Sequence, residues 1–185
     1  MHRLPIALAA IATVALAGAL VASAASTPTP TAVGTVLKIG KPAIVVYQDP
    51  EKPKLKGTFQ ITPESIQQGS IKDFANITLD AKQKSDTPFY LKILTKDVGT
   101  TTMTKERPDL LLNGVDDRGQ SQSSIIFFGD FARCGDSKAP TTIKPGQSYE
   151  TCQAFLLAKG GSIKGAVWSL FDPKHPSKSD INWKK

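Results

Sequence analysis

Histidine, cysteine, methionine and aromatic residues are all scarce in this 185-residue chain, which has two His, two Cys, two Met and 7% Phe, Trp and Tyr. Each shortage removes a class of chemistry. One histidine, His2, lies in the N-terminal segment, and the other, His175, sits between Pro173-Lys174 and Pro176 in a polar tail. A Ser-His hydrolase needs a base beside its nucleophile, and the nearest match to an elbow motif, Gly146-Gln147-Ser148-Tyr149-Glu150, lacks the second glycine. A transition-metal centre needs several nitrogen or sulfur donors, which are too few here. Two cysteines do not make a disulfide-dense miniprotein. Beyond residue 24 no apolar run is long enough to span a bilayer. Neither GxGxxG, nor GxxxxGK[ST], nor a repeat of fixed period occurs. The composition is otherwise that of one globular domain: 40% hydrophobic, 21% charged and a formal charge of +7.

Residues 1–24 read as a secretory signal peptide. Arg3 supplies the basic start, residues 4–21 are apolar and Ala-rich, and Ala22-Ser23-Ala24 is a small-x-small cleavage site. The competing reading is an N-terminal membrane helix, because about 18 apolar residues approach the lower limit for spanning. The Ser/Thr/Pro stretch that follows is not a basic stop-transfer flank, which favours the signal. Residues 25–33 are then a Thr/Pro-rich linker and residues 34–185 the folded domain. Export places Cys134 and Cys152 in an oxidising compartment, where a single disulfide is the simplest outcome. A free thiol pair or half of a metal site are the alternatives.

The mature chain is patterned with period two. Phe59 and Ile61 alternate with Thr58 and Gln60. Phe89, Leu91 and Ile93 share a face opposite Tyr90, Lys92 and Leu94. Further strands are predicted at 44–47, 110–115, 123–128, 149–157, 163–170 and 181–183. Turns fall at Asp116-Asp117-Arg118-Gly119, Lys144-Pro145-Gly146 and Lys159-Gly160-Gly161. Residues 65–76 have the composition for a turn or two of helix, but no amphipathic helix of three turns stands out. Strands with one apolar face each must pack as two layers, so the fold expected is an all-β, immunoglobulin-like antiparallel β-sandwich of roughly seven to nine strands.

The order of these elements resembles a known family. Thr87-Pro88-Phe89-Tyr90-Leu91-Lys92-Ile93 running to Val98-Gly99, then Asp116 to Gly119, then Ile143-Lys144-Pro145-Gly146-Gln147-Ser148, and a closing Ile181-x-Trp183 are similar to the telokin-like, immunoglobulin-fold domains secreted by actinobacteria. The resemblance covers about residues 33–185 and implies a fold more than a function. It implies no catalytic residues. Asp97 stands where that pattern usually has Asn. The two cysteines are too close in sequence for the pin between sheets found in antibody domains, so the bond is expected to tie the loop 129–140 onto a neighbouring strand, and Trp168 need not pack on it.

Among acids, Glu51, Glu64, Glu106 and Glu150 sit in hydrophilic stretches or at a strand start, as solvated residues do. Asp116 and Asp117, with Asp109, Asn113 and Asp130, could offer oxygens to Ca²⁺, although Asp is also a preferred turn residue. Asn76-Ile77-Thr78 matches a glycosylation sequon, which a eukaryotic source would make relevant; the Ala-rich signal and the resemblance favour a bacterium, where the match is one of chance. Lysines such as Lys52, Lys54 and Lys56 alternate along one face, where they blunt strand edges or attract anionic polymer. The expected function is a secreted or cell-envelope-associated, non-enzymatic binding domain with no cofactor and no metal. Its candidate binding loop carries Phe131, Arg133, Asp136 and Lys138 beside the disulfide. The expected partner is a protein or an anionic envelope polymer, not nucleic acid. The alternatives are an extracellular hydrolase acting on cell-wall or host polymer, and a structural envelope component retained by its basic surface.

Overall fold

The computed structural model describes residues 28–48, 55–104, 112–125, 131, 133–134, 139–169 and 180–185. The expected signal peptide, His175, Glu51, Glu106, Lys52, Lys54, Asp109, Asp130, Asp136 and Lys138 lie outside the described residues. Among those described, the chain forms eleven strands: β1 (Val36–Lys38), β2 (Ala43–Gln48), β3 (Lys56–Gln68), β4 (Thr87–Asp97), β5 (Met103–Thr104), β6 (Asn113–Asp116), β7 (Ser121–Gln122), β8 (Thr142–Ile143), β9 (Ser148–Leu157), β10 (Ile163–Ser169) and β11 (Asp180–Lys184). Three of them, β5, β7 and β8, are only two residues long.

Two sheets form the sandwich, one in the order β1-β11-β10-β6-β7 and the other β2-β3-β4-β9, and a small β5-β8 ladder accompanies them. The fold is all-β, as the alternation predicts. The inward residues of both sheets make one core, in which Phe59, Ile61, Leu91, Ile93, Phe155, Ile181 and Trp183 are almost wholly buried. The Trp183 indole N–H donates to the Lys41 carbonyl at 2.8 Å, tying β11 to the connection between β1 and β2. Asp116 fixes the β6-β7 turn, its Oδ1 accepting from the Arg118 and Gln120 amides at 2.9 and 2.7 Å. Gly119 supplies the positive φ of 78° that this turn needs.

Three details depart from the expected pattern. One pair, β1 with β11, is parallel, with Val36 opposite Asn182. Thr31, at the end of the Thr/Pro stretch, bonds to β2: its amide donates to the Ile44 carbonyl and its hydroxyl accepts from the Ile44 amide, both at 2.8 Å. β3 runs past Ile61 to Gln68, so the turn or two of helix expected within 65–76 is confined to a single 3-10 turn at Ile71–Phe74.

The reason lies at Glu64. Pro63 pairs with Ile93 but Ser65 pairs with Lys92, so one extra residue is inserted between them as a bulge. Phe59 and Ile61 face the core before it, and Ile66 faces the core after it. The alternation therefore changes phase within one continuous strand, and a search for a single phase stops too early.

At the end of β4, Asp97 is 1% exposed. Its Oδ1 accepts from the Gly99 amide at 2.9 Å, while Oδ2 has no partner among the described residues. Burial pushes its pKa above the ordinary 3.8, and the Gly99 bond only partly opposes that. A raised carboxyl pKa means that the folded state binds the proton more tightly than the unfolded chain. The resulting penalty is present at neutral pH, is relieved as pH falls through the folded value, and is gone below the ordinary 3.8. Asp97→Asn should therefore raise Tm at pH 7 by a few degrees, with the gain over the parent shrinking towards pH 4. Parallel melting curves at several pH values check this, and a constant difference across pH would contradict it.

Candidate functional site

The outward face of the β2-β3-β4-β9 sheet is partly covered. Strand register puts Tyr90 and Lys92 of β4, Ser65 and Gln67 of β3, and Glu150, Cys152 and Ala154 of β9 on that side. The connection after β3 folds back over it and buries Phe74 and Leu79 against Tyr90, Phe131 and Ala154, making a second apolar cluster. The Phe74 and Phe131 ring centres are 4.9 Å apart, and those of Tyr90 and Phe131 are 5.9 Å apart. The Cys134–Cys152 disulfide, with its Cα atoms 5.3 Å apart, fastens the segment that carries Phe131 and Arg133 to β9. As expected, it ties a loop to a neighbouring strand and stays out of the core that holds Trp168.

A capping box sets the polar half of the site. Ser70 Oγ accepts from the Lys72 amide at 3.3 Å, and Asp73 Oδ2 accepts from the Ser70 amide at 3.0 Å. The same Oδ2 accepts from the Tyr90 hydroxyl at 2.9 Å. A side chain at Gly69 would collide with the Tyr90 ring and the Asp73 carboxylate, so this close approach requires glycine there. The Ser70 amide, then the Tyr90 hydroxyl and the Arg133 charge, hold the Asp73 carboxyl below its usual range against the opposing effect of burial. Tyr90 is pushed the other way, first by burial and then by Asp73, so its hydroxyl keeps its proton at neutral pH.

Beside this cluster opens a groove of about 200 Å³, floored by Ser65, Gln67, Tyr90 and Lys92 and walled by Glu150, Thr151, Arg133 and the disulfide. Its charges are unevenly matched. Lys92 Nζ lies 2.9 Å from Glu150 Oε2 and 3.5 Å from Glu64 Oε2, and Glu150 first among them raises the lysine pKa. The bulge makes Glu64 the additional residue on β3 at this point. At the other end, Arg133 Nε is 4.0 Å from Asp73 Oδ2, and its guanidinium carbon stands 5.4 Å from the centre of the Tyr90 ring. The Arg133 side chain is 44% exposed and lines the groove.

Of the four residues assigned to the binding loop, Arg133 lines the groove. Phe131 is buried in the second apolar cluster, where it anchors the segment, and Asp136 and Lys138 lie outside the described residues. Tyr90, Lys92, Glu64, Glu150, Ser70 and Asp73 were not assigned to a site from sequence. The signal available for two of them was Ser70-Ile71-Lys72-Asp73, an S-x-x-D capping pattern. Asp116, considered above for Ca²⁺, directs both oxygens at its own turn: Oδ1 at the two amides and Oδ2 at the Gln122 side-chain amide, 3.0 Å away. Among the described residues no three His, Cys, Asp or Glu side chains converge as metal ligands.

No family model matches this sequence, and no curated protein matches it. Among solved structures it is similar to MPT63, a secreted protein from Mycobacterium tuberculosis, with a TM-score of 0.51 and 8% identity over 81% of this chain and 96% of that one. The likeness is one of fold. The yjhA protein from Bacillus subtilis aligns with a TM-score of 0.46 and 10% identity over 80% of this chain and 98% of that one.

Asp73 stabilises the fold above its ordinary pKa and loses that contribution as pH falls through its lowered folded value. Tyr90→Phe should move the Asp73 midpoint up towards 3.8 and destabilise the protein by about 1 kcal/mol. NMR titration of the Asp73 carboxyl carbon, with a denaturation curve for each protein, gives both numbers. An unmoved midpoint would show that the hydroxyl does not hold the carboxylate.

Proposed function

We propose that this chain is a non-enzymatic binding domain, secreted or held at the cell envelope, whose binding surface is the groove between β3, β4, β9 and the disulfide-fastened segment. The observation that carries the reading is the position of Arg133. It adjoins Cys134, and the bond to Cys152 fixes its backbone over the sheet, so little entropy is lost when a ligand meets it. The location is supported by the disulfide, which persists in oxidising compartments, and by the signal-like residues 1–24. The resemblance to telokin-like secreted domains and the fold shared with a secreted mycobacterial protein agree with it. Glu150, the one glutamate that lines the groove, engages Lys92, as does Glu64 beside it, which favours recognition over acid-base chemistry and sets this reading apart from a hydrolase.

The test is capture of ligand from soluble cell-envelope extracts by the purified protein, with Arg133→Ala and with Cys134→Ser/Cys152→Ser. Arg133→Ala should keep its Tm and lose most of the capture. The double serine variant should lose about 3 kcal/mol of stability, stay folded around its main core, and bind several-fold more weakly. Undiminished capture by Arg133→Ala, or turnover of the extract into new products, would refute the proposal.

A further inference from the structure

Resting on that reading of the groove, we propose that its ligand is the C-terminal end of a short extended peptide that carries a free amine. In this arrangement the carboxylate is held by Arg133 and the amine by Glu150, with Glu64 sharing the Lys92 ammonium beside it. Arg133 is constrained on three sides: the adjacent disulfide fixes its backbone, the Tyr90 ring lies beneath its guanidinium, and Asp73 faces its Nε at 4.0 Å. Asp73 already accepts from the Ser70 amide and the Tyr90 hydroxyl, and at that distance it orients the guanidinium without neutralising it. Arg133 lines the groove, and a planar guanidinium fork holds a carboxylate by donating two parallel hydrogen bonds.

The opposite end carries the complementary charge. Two carboxylates share the single ammonium of Lys92, so this end holds one excess negative charge. Tyr90 and Lys92 are two residues apart on one strand face, a separation of about 6.6 Å. An extended peptide advances roughly 3.3–3.6 Å per residue, so two residues cover that distance and a tripeptide reaches one residue beyond it. Gln67 and Ser65, on the outward face of β3, line the floor between the ends and offer side-chain hydrogen bonds to a peptide backbone. A polyanion would meet Glu150 in the groove and be repelled by the acid that attracts an amine. The charge pattern therefore selects a zwitterion over the anionic polymer expected from the lysine content.

The probes are trialanine, its C-terminal amide, its N-acetyl form and acetate, titrated into isotopically labelled protein at millimolar concentration. Trialanine should shift the amides of Gln67, Cys134 and Thr151 saturably. Amidation should weaken it by about tenfold or more, and N-acetylation by several-fold. Acetate, the carboxylate without the peptide, should bind far more weakly than trialanine. Arg133→Lys, which keeps the charge and loses the fork, should weaken trialanine by about tenfold with Tm unchanged. Glu150→Gln should erase the preference for the free amine. Equal binding of trialanine and its amide overturns the proposal, as does saturation by polyglucuronate in place of trialanine. If trialanine produces no shifts while Arg133→Ala still abolishes capture from envelope extracts, the peptide assignment falls and the binding reading stands. If neither effect appears, both fall.

Discussion

The first half of strand β4 has no face that can be left in water. Phe89, Leu91 and Ile93 point into the sandwich, and Tyr90 points the other way, yet all four are buried. An antiparallel strand normally tolerates solvent on one side. Here the second side must also be covered, and the connection after β3 and the segment around Phe131 cover it. From that requirement follow the 3-10 turn capped by Ser70, the disulfide that holds the second cover down, and the groove that remains where the covering stops short of Lys92.

The layered fold was readable from sequence because its signals are local. The alternation around Phe59 and Phe89, the long run ending at Leu157 and the turn at Gly119 each depend on a handful of neighbouring residues. The bulge at Glu64 was not readable. Its effect is to change which residues face inward, and that is visible only when β3 is laid against β4. The parallel pairing of β1 and β11 joins segments from opposite ends of the domain, which no local pattern encodes.

The site was less legible than the fold. The disulfide followed from counting cysteines in a chain expected to be exported, and Arg133 followed from its place beside it. The cluster of Glu64, Lys92 and Glu150 needs the register of three strands at once, and Asp73 reaches Tyr90 only because the chain folds back over the sheet. One hint was available: an aromatic at Tyr90, on the side opposite Phe89, Leu91 and Ile93, indicates that this side too is covered.

The parallel neighbours β1 and β11 have a mechanical consequence. Tension that enters the domain ahead of β1 and leaves beyond β11 pulls these strands lengthwise past each other. Their ladder is loaded in shear, all its bonds sharing the force together, and does not peel apart one bond at a time. The sandwich is thereby clamped at the place where the flanking chain would drag on it.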